Sequence, residues 1–112
     1  MAAYVDGFVL PVPKKNLDAY RRMARMAGNI WREHGALEYR ECAGDDLDIQ
    51  GVVPFSQTVD LKRGETVVFA WIVFKSRTHR DRINKKVMGK GLSMPFDVKR
   101  MVYGGFKVLV DA

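Results

Sequence analysis

The segment from Thr66 to Phe74 constrains the fold most strongly, because eight of its nine residues are apolar. Its β-branched and aromatic residues favour an extended strand, in which side chains alternate between two faces. One face carries Val67, Phe69, Trp71 and Val73, and the other carries Val68, Ala70, Ile72 and Phe74. An antiparallel strand with one face in water normally alternates apolar and polar residues. We therefore expect this strand to be covered on both faces.

The rest of the chain predicts two long helices and further strands around this segment. Strands are predicted at Tyr4 to Val12, Ala36 to Ala43, Thr66 to Phe74 and Met101 to Val110, with an extra hairpin strand at Gln57 to Leu61. Helical periodicity predicts one helix from about Lys14 or Asn16 to His34 and a second from Arg77 to about Met88. Ser76 is the expected N-cap of the second helix, and a loop follows from Lys90 to Lys99. The order is that of a ferredoxin-like βαββαβ sandwich, an α+β fold. At 112 residues we expect one domain, residues 1–112.

The apolar strands predict a homodimer. In a two-layer sandwich the helices cover only one face of the sheet, yet the first strand also carries Phe8 and Leu10 opposite Val5 and Val9. An exposed apolar surface of this extent is typical of an interface. Two copies packed sheet to sheet would bury both faces, so we expect a homodimer through the sheet face.

The chain is basic, with a formal net charge of +6, and this charge is concentrated in one region. Between Lys75 and Arg100 there are nine Lys or Arg residues and only two Asp residues. Such a patch can attract nucleic acid or an acidic partner through the predicted helix at residues 76–90. The alternative is a solvated helix face. The predicted sheet offers no exposed aromatic platform for RNA, which argues against nucleic acid without excluding it.

The sequence gives no sign of export or membrane insertion. The N-terminus lacks a basic stretch followed by an apolar run, and the longest apolar runs fall well short of the roughly 20 residues that a membrane helix needs. With a single cysteine, Cys42, no internal disulfide can form. We therefore expect a cytoplasmic protein with no membrane partner.

Two histidines are the candidate catalytic residues. The predicted topology brings the C-terminus of the first helix and the N-terminus of the second to one end of the helical layer, where His34 and His79 lie. A pocket there would use the imidazoles as proton carriers, Arg77 as an anion partner, and Trp31 and Trp71 as walls. The alternative is structural: His34 caps carbonyls at its helix end and His79 is a packing residue.

No motif for a metal or cofactor is present in the sequence. His34, Cys42 and His79 lack the close spacing of metal ligands, and there is no CxxC or HxxxH pair. The Gly-Lys-Gly sequence at residues 89–91 lacks the spacing of a phosphate-binding loop. We therefore expect neither a metal nor a cofactor.

Several strings of residues resemble a known family across essentially the whole chain. They are YVDGF at Tyr4–Phe8, WREHGALEY at Trp31–Tyr39, WIVF at Trp71–Phe74, SRTHRD at Ser76–Asp81, MPFD at Met94–Asp97 and RMVYGGF at Arg100–Phe106. They are similar to the bacterial YbaA-like family of unknown function, which resembles the dimeric α/β-barrel superfamily. The resemblance implies a dimer in which two ferredoxin-like sheets close into a barrel. That superfamily includes cofactor-free monooxygenases, haem-degrading enzymes, lactone-forming isomerases and ligand sensors, and fold alone cannot choose among them.

The sequence therefore favours a homodimeric protein that binds a small organic molecule, aromatic or anionic, between helices and sheet. The same site could carry out a cofactor-free reaction, and the sequence does not distinguish binding alone from catalysis. Binding of nucleic acid or an acidic partner through residues 76–90 is the alternative, and a purely structural dimer is the third possibility.

Overall fold

The structure, a computed structural model that describes residues 3–89 and 98–112, contains one four-stranded antiparallel sheet. The strands are β1 (Tyr4–Pro13), β2 (Glu38–Ala43), β3 (Glu65–Phe74) and β4 (Val102–Lys107), and the helices are α1 (Leu17–Glu33), α2 (Phe55–Thr58) and α3 (Arg77–Met88). Single turns of 3-10 helix occur at Lys14–Asn16 and Val98–Arg100. The strand order β2-β3-β1-β4 is the ferredoxin-like order, which confirms the predicted α+β fold.

The sheet is divided by register into a face covered by helices and an open face. β3 pairs with β1 on one side and β2 on the other, with Phe8 opposite Ala70 and Glu41 opposite Ala70. The covered face of β3 carries Val68, Ala70, Ile72 and Phe74, all of them buried. This division assigns each strand residue to the interior or to the opposite surface.

Two buried clusters hold α1 and α3 against the covered face. The first joins Tyr4, Ala27, Trp31, Ala36, Ile72, Phe74, Ile83 and Val87, and the second joins Leu10, Val12, Tyr20, Ala24 and Val68. The buried residues of α1 therefore lie on the stripe that its helical periodicity predicts. Phe8 and Met23 pack against both clusters and so mark the place where the clusters meet.

The expected hairpin strand at Gln57 to Leu61 was wrong, because the segment begins in the short helix α2 and continues in the turn that follows it. Pro54 precedes the helix, as suits a residue whose φ is fixed near helical values. Asp60 then adopts a positive φ of 49°, which interrupts an extended strand. Val59 is buried, so its alternation with Leu61 reflects packing of a helical turn.

The other bounds differ little from the prediction. α3 runs over the predicted range, whereas β2 begins at Glu38 and β4 ends at Lys107. Most of the predicted loop from Lys90 to Lys99 lies outside the described residues. No helix in the described part of the chain is long and apolar enough to cross a membrane.

The open face of the sheet is apolar and accessible. Phe69 is 41% exposed, Val102 46% and Phe106 60%, and these residues share the open face with Val5 and Val9 by register. The ring of Phe106 lies over Gly7 and Gly104, where a side chain would meet it at 3.4 and 3.5 Å. Phe55 of α2 makes an edge contact with Phe69, at 5.8 Å between ring centroids.

Candidate functional site

A cavity of about 210 Å³ lies between the covered face of the sheet and the helices α1 and α3. It forms where the two buried clusters meet. Its lining consists of Phe8, Leu10, Tyr20, Met23, Ala27, Trp31, Tyr39, Glu41, Ala70, Ile72, Asn84, Met88, Met101 and Tyr103. Most of these side chains are apolar or aromatic, and the polar ones converge from β2, α3 and β4. Such a lining is typical of a site for a small organic molecule.

One polar wall of the cavity rests on a buried carboxylate. Asp6 is fully buried on the covered face of β1, at 0% exposure. Its Oδ1 accepts a hydrogen bond from Arg80 Nη1 at 2.7 Å, and its Oδ2 accepts one from Asn84 Nδ2 at 3.2 Å. Arg80 Nη1 also donates to the Tyr103 hydroxyl at 2.8 Å. We call these four residues the Asp6 network; it joins β1, α3 and β4.

The Asp6 network places two uncharged polar groups, Asn84 and Tyr103, at the cavity wall. Trp31 Nε1 donates to Asn84 Oδ1 at 2.9 Å, so α1 fixes the orientation of this amide. Burial, reinforced by the nearby charge of Asp6, raises the pKa of Tyr103, which keeps the hydroxyl protonated. The Arg80 guanidinium forms ion pairs with the carboxylates of Asp6 and Asp81.

A second polar group, Glu41 of β2, lies on the covered face. The hydroxyls of Tyr20 and Tyr39 donate hydrogen bonds to the two oxygens of its carboxylate, one to each. Burial together with the interaction with Glu41 raises the pKa of both tyrosines well above the usual range. Both phenols therefore stay protonated as donors.

Gly28 of α1 positions Tyr39 beside Glu41. A β-carbon at Gly28 would approach Tyr39 Cδ1 to 2.6 Å, so the missing side chain is what lets the ring lie against the helix. A mid-helix glycine costs roughly 1 kcal/mol relative to alanine. The cost is offset here by the packing of Tyr39, whose ring centroid is 6.1 Å from that of Trp31.

Glu41 also borders an outer groove of about 330 Å³ between α1 and β2. Tyr20, Tyr39 and Glu41 line both the groove and the cavity, so they form the wall between them. Arg21 and Arg25 line the groove but not the cavity.

The two predicted catalytic histidines lie at the expected end of the helical layer but outside this cavity. His34 Nδ1 is 2.8 Å from the carbonyl oxygen of Ile30, which places it at the C-terminus of α1 as a cap. His79 Nδ1 accepts a hydrogen bond from the backbone N–H of Lys75 at 3.0 Å. Gly35 lies between the two, since a β-carbon there would meet His79 Nε2 at 3.3 Å. The arrangement favours the structural alternative; a catalytic role for either histidine stays a prediction.

Only one of the three predicted binding residues reaches the cavity. Trp31 lines it, whereas Trp71 points to the open face, where its Nε1 donates to Glu38 at 3.1 Å. Arg77 is exposed in the first turn of α3. Its role as an anion partner stays a prediction, as does binding of an acidic partner or nucleic acid by the exposed Lys and Arg residues of this helix.

The sequence did not single out Asp6, Asn84, Arg80 or Glu41. A signal for two of them exists in the strand alternation, which places Asp6 between the inward residues Tyr4 and Phe8, and Glu41 beside Tyr39. An ionisable residue at an inward position needs a partner. Among the described residues, no group of three or more His, Cys, Asp or Glu side chains could hold a metal ion.

The family follows from sequence comparison. Residues 3–101 match DUF1428, described as a protein of unknown function. The chain belongs to the DUF1428 family. This DUF1428 chain is 45% identical over 114 residues to the uncharacterised protein YbaA of Escherichia coli strain K12, which covers 96% of this chain and 97% of that protein. YbaA of Shigella flexneri matches with the same identity and coverage. The family predicted from the sequence motifs is confirmed.

Solved structures resemble the DUF1428 chain in fold. A crystal structure of a dimeric ferredoxin-like protein from an uncultured marine organism covers 100% of both chains, with a TM-score of 0.59 and 10% identity. The de novo designed protein Foldit4 covers 99% of this chain and 100% of its own, with a TM-score of 0.51 and 11% identity. At such identities the likeness concerns the fold alone, and it supports the ferredoxin-like assignment.

Proposed function

We propose that the protein is a homodimer in which each subunit binds a small organic molecule, with an apolar or aromatic body, in the cavity between helices and sheet. The observation that carries the proposal is the cavity itself, with its apolar lining and the fixed polar groups of the Asp6 network. A dry apolar cavity of about 150 Å³ is large enough for benzene. A cavity of about 210 Å³ is therefore suited to a single substituted ring.

The polar groups suit a binding site better than a purely structural core. Tight packing would leave no such volume at the junction of the two clusters, because protein interiors have few voids larger than a water molecule. Asn84 is held from one side by Trp31 and from the other by Asp6, so its amide is fixed before a ligand arrives. Fixed polar groups in an apolar cavity orient a ligand and discriminate among ligands.

The dimer is supported by the open face of the sheet. Large apolar surfaces are exposed by Phe69 of β3 and by Val102 and Phe106 of β4, and β1 lies between these two strands. A second copy of this chain offers the same surface, so it can cover the face through a twofold interface. The ferredoxin-like structure from the marine organism is itself described as dimeric. In such a dimer the cavity lies on the side of each sheet away from the partner.

Ligand binding can be tested with the neutral probe 2-phenylethanol by isothermal titration calorimetry. We expect saturable binding with a dissociation constant of about a millimolar or below, as the size of the probe allows. The variant Ala70→Leu fills part of the cavity from β3 and should weaken binding by roughly 10-fold or more, since Ala70 lines the cavity.

Ala19→Leu is the matched control, because it makes the same change at an exposed position of α1 outside the cavity lining. It should leave the affinity unchanged. Failure of 2-phenylethanol and of charged phenyl compounds of the same size to bind would count against the proposed function. Equal effects of Ala70→Leu and Ala19→Leu would show that any binding occurs elsewhere.

A further inference from the structure

The charge of the cavity lining has a single source. Among the described residues that line it, Glu41 is the only Asp, Glu, Lys or Arg; the others are apolar, aromatic or amide side chains. The raised pKa values of Tyr20, Tyr39 and Tyr103 keep these three phenols neutral. A ligand in the cavity therefore meets one negative group and no positive one from the described part of the chain.

The carboxylate of Glu41 has hydrogen-bond donors but no cationic partner among the described residues. The ion pairs of this part of the chain join Asp18 to Arg21, Glu38 to Arg40, Asp6 and Asp81 to Arg80, and Glu65 to Arg100. Each oxygen of Glu41 accepts one phenol, which leaves further acceptor capacity on both. A partly buried carboxylate of this kind gains most from a cation that brings its own hydrogen-bond donors.

The aromatic rings around Glu41 favour the same kind of ligand. Tyr20, Tyr39 and Trp31 all line the cavity, and the rings of Trp31 and Tyr39 lie 6.1 Å apart at a tilt of 33°. The negative faces of such rings attract ammonium groups, and aromatic side chains beside a carboxylate form a common site for organic cations. Arg21 and Arg25 lie on the groove side of this wall, where water and salt screen their charge.

We propose that the ligand of the cavity is an organic ammonium ion. This inference rests on the proposed function and names the chemical class of its ligand. The ammonium group donates hydrogen bonds to the Glu41 carboxylate, beside the rings of Tyr20 and Tyr39. The apolar or aryl body of the ligand extends toward Phe8, Met23 and Ile72. The Asp6 network, at the opposite wall, contacts any polar substituent at the far end of the body.

The test compares three probes of nearly the same shape by isothermal titration calorimetry: 2-phenylethylammonium, neutral 2-phenylethanol and anionic 3-phenylpropionate. The wild-type protein should bind the ammonium probe roughly 10-fold or more tightly than either of the others, as a charge-assisted hydrogen bond in a partly buried site implies. Glu41→Gln keeps the shape of the side chain and removes its charge. It should weaken binding of the ammonium probe by roughly 10- to 100-fold and change that of 2-phenylethanol by less than about 3-fold.

Glu38→Gln is the matched control, since it removes the same charge from the same strand on the open face. It should keep the preference for the ammonium probe. If 2-phenylethanol binds but the wild type shows no such preference, or Glu41→Gln preserves it, the ammonium inference is overturned and the proposed function stands. If none of the three probes binds, the proposed function itself fails.

A further variant covers the case in which Glu41→Gln does not fold. Tyr20→Phe keeps the ring and the carboxylate but removes one of the two phenol donors. Because the freed oxygen of Glu41 then has more capacity for the ligand, the preference for the ammonium probe should persist or increase. Loss of the preference in a folded Tyr20→Phe variant would contradict the inference.

Discussion

The buried carboxylate of Asp6 depends strongly on its environment. A buried carboxylate costs several kcal/mol in desolvation unless a cation and hydrogen bonds compensate it. Arg80 and Asn84 supply both, at 2.7 and 3.2 Å, and the Arg80 guanidinium lies 5.0 Å from the centroid of the Tyr4 ring. Tyr4 in turn approaches Gly105 so closely that a side chain there would overlap it. The geometry of β1, α3 and β4 around the cavity therefore depends on this ion pair.

Replacing Arg80 by Met should destabilise the protein by roughly 3–5 kcal/mol, because the charge of Asp6 would stay buried without a cation. Urea unfolding at one fixed protein concentration measures the change. Arg82→Met is the control, since Arg82 is an exposed residue of the same helix and should change stability by no more than about 0.5 kcal/mol. Similar losses of unfolding free energy in the two variants would show that the buried ion pair with Asp6 is not the main contribution of Arg80 to stability.

The residues of the candidate site were harder to predict than the fold because their partners are distant in sequence. Arg80 is separated from Asp6 by 74 positions and Asn84 by 78. Alternation along β1 shows that Asp6 points inward, but it does not reveal which cation comes to meet it. The histidines were predicted as proton carriers from their chemistry alone; each makes a local backbone contact in the structure, and a catalytic role for them stays a prediction.

At the scale of elements, the first turn of α3 is fixed by two hydrogen bonds of His79. Ser76 Oγ accepts from the backbone N–H of His79 at 3.1 Å, and His79 Nδ1 accepts from that of Lys75 at 3.0 Å. The arrangement resembles a capping box in which an imidazole replaces the usual Glu or Gln and accepts from the residue before the N-cap. It requires an unprotonated Nδ1. Burial, together with the charges of Lys75 and Arg82, lowers the pKa of His79 from its ordinary value of 6.5 and so favours this form.

This capping predicts a pH dependence of stability. Because the folded chain holds His79 neutral, the unfolded chain binds more protons as the pH falls below about 6.5, and the contribution of the cap is lost as the pH drops through the lowered pKa. The loss should not exceed about 1 kcal/mol, the scale of a capping interaction. His79→Gln keeps an acceptor that does not titrate, so it should reduce the loss in urea unfolding between about pH 7.5 and about pH 5.

His34→Gln is the corresponding control and should retain the pH dependence of the wild type. An unchanged dependence in His79→Gln would mean that other groups cause it. Glu65 acts below this pH window, because its hydrogen bonds to Arg100 lower its pKa to about 2, so the stability they contribute is lost as the pH falls from 4.5 through that pKa.

The elements with strong local signals were the predictable ones. Ser76 marks the start of α3, and the bounds Arg77–Met88 follow from local chemistry alone. The strand prediction for Gln57 to Leu61 was wrong because five residues of alternation fit a strand and a single helical turn equally well. Pro54 and the positive φ of Asp60 decided between them, and the second cannot be seen in a sequence.

At the scale of the whole molecule, the apolar open face of the sheet is observed in one chain, whereas the homodimer that would cover this face is a proposal about two chains. The apolar character of this face was predictable, since alternation alone places Phe69 and Phe106 opposite the helices. The lining of the cavity was not, because it depends on how side chains from six elements meet. Strand patterns thus predicted the proposed dimer surface more clearly than the residues of the proposed ligand site.

Phe106→Asp should weaken the proposed dimer by roughly 30-fold or more, because it places a charge on the apolar surface that the partner would cover. Sedimentation equilibrium across a range of concentrations measures the effect. Met26→Asp is the control: Met26 on α1 is 63% exposed, close to the 60% of Phe106, but lies on the helical side of the molecule. A wild-type chain that stays monomeric, or equal effects of the two variants, would contradict the dimer.

The two tryptophans lie on opposite sides of the sheet, Trp31 in the wall of the cavity and Trp71 on the open face. The protein thus carries two intrinsic fluorophores in separate environments. With Trp71 replaced by Phe, the emission spectrum reports solvent access to the interior; with Trp31 replaced by Phe, it reports whether the outer surface of the sheet has been covered. Occupation of the cavity and association of subunits can then be followed optically and independently, without an attached dye.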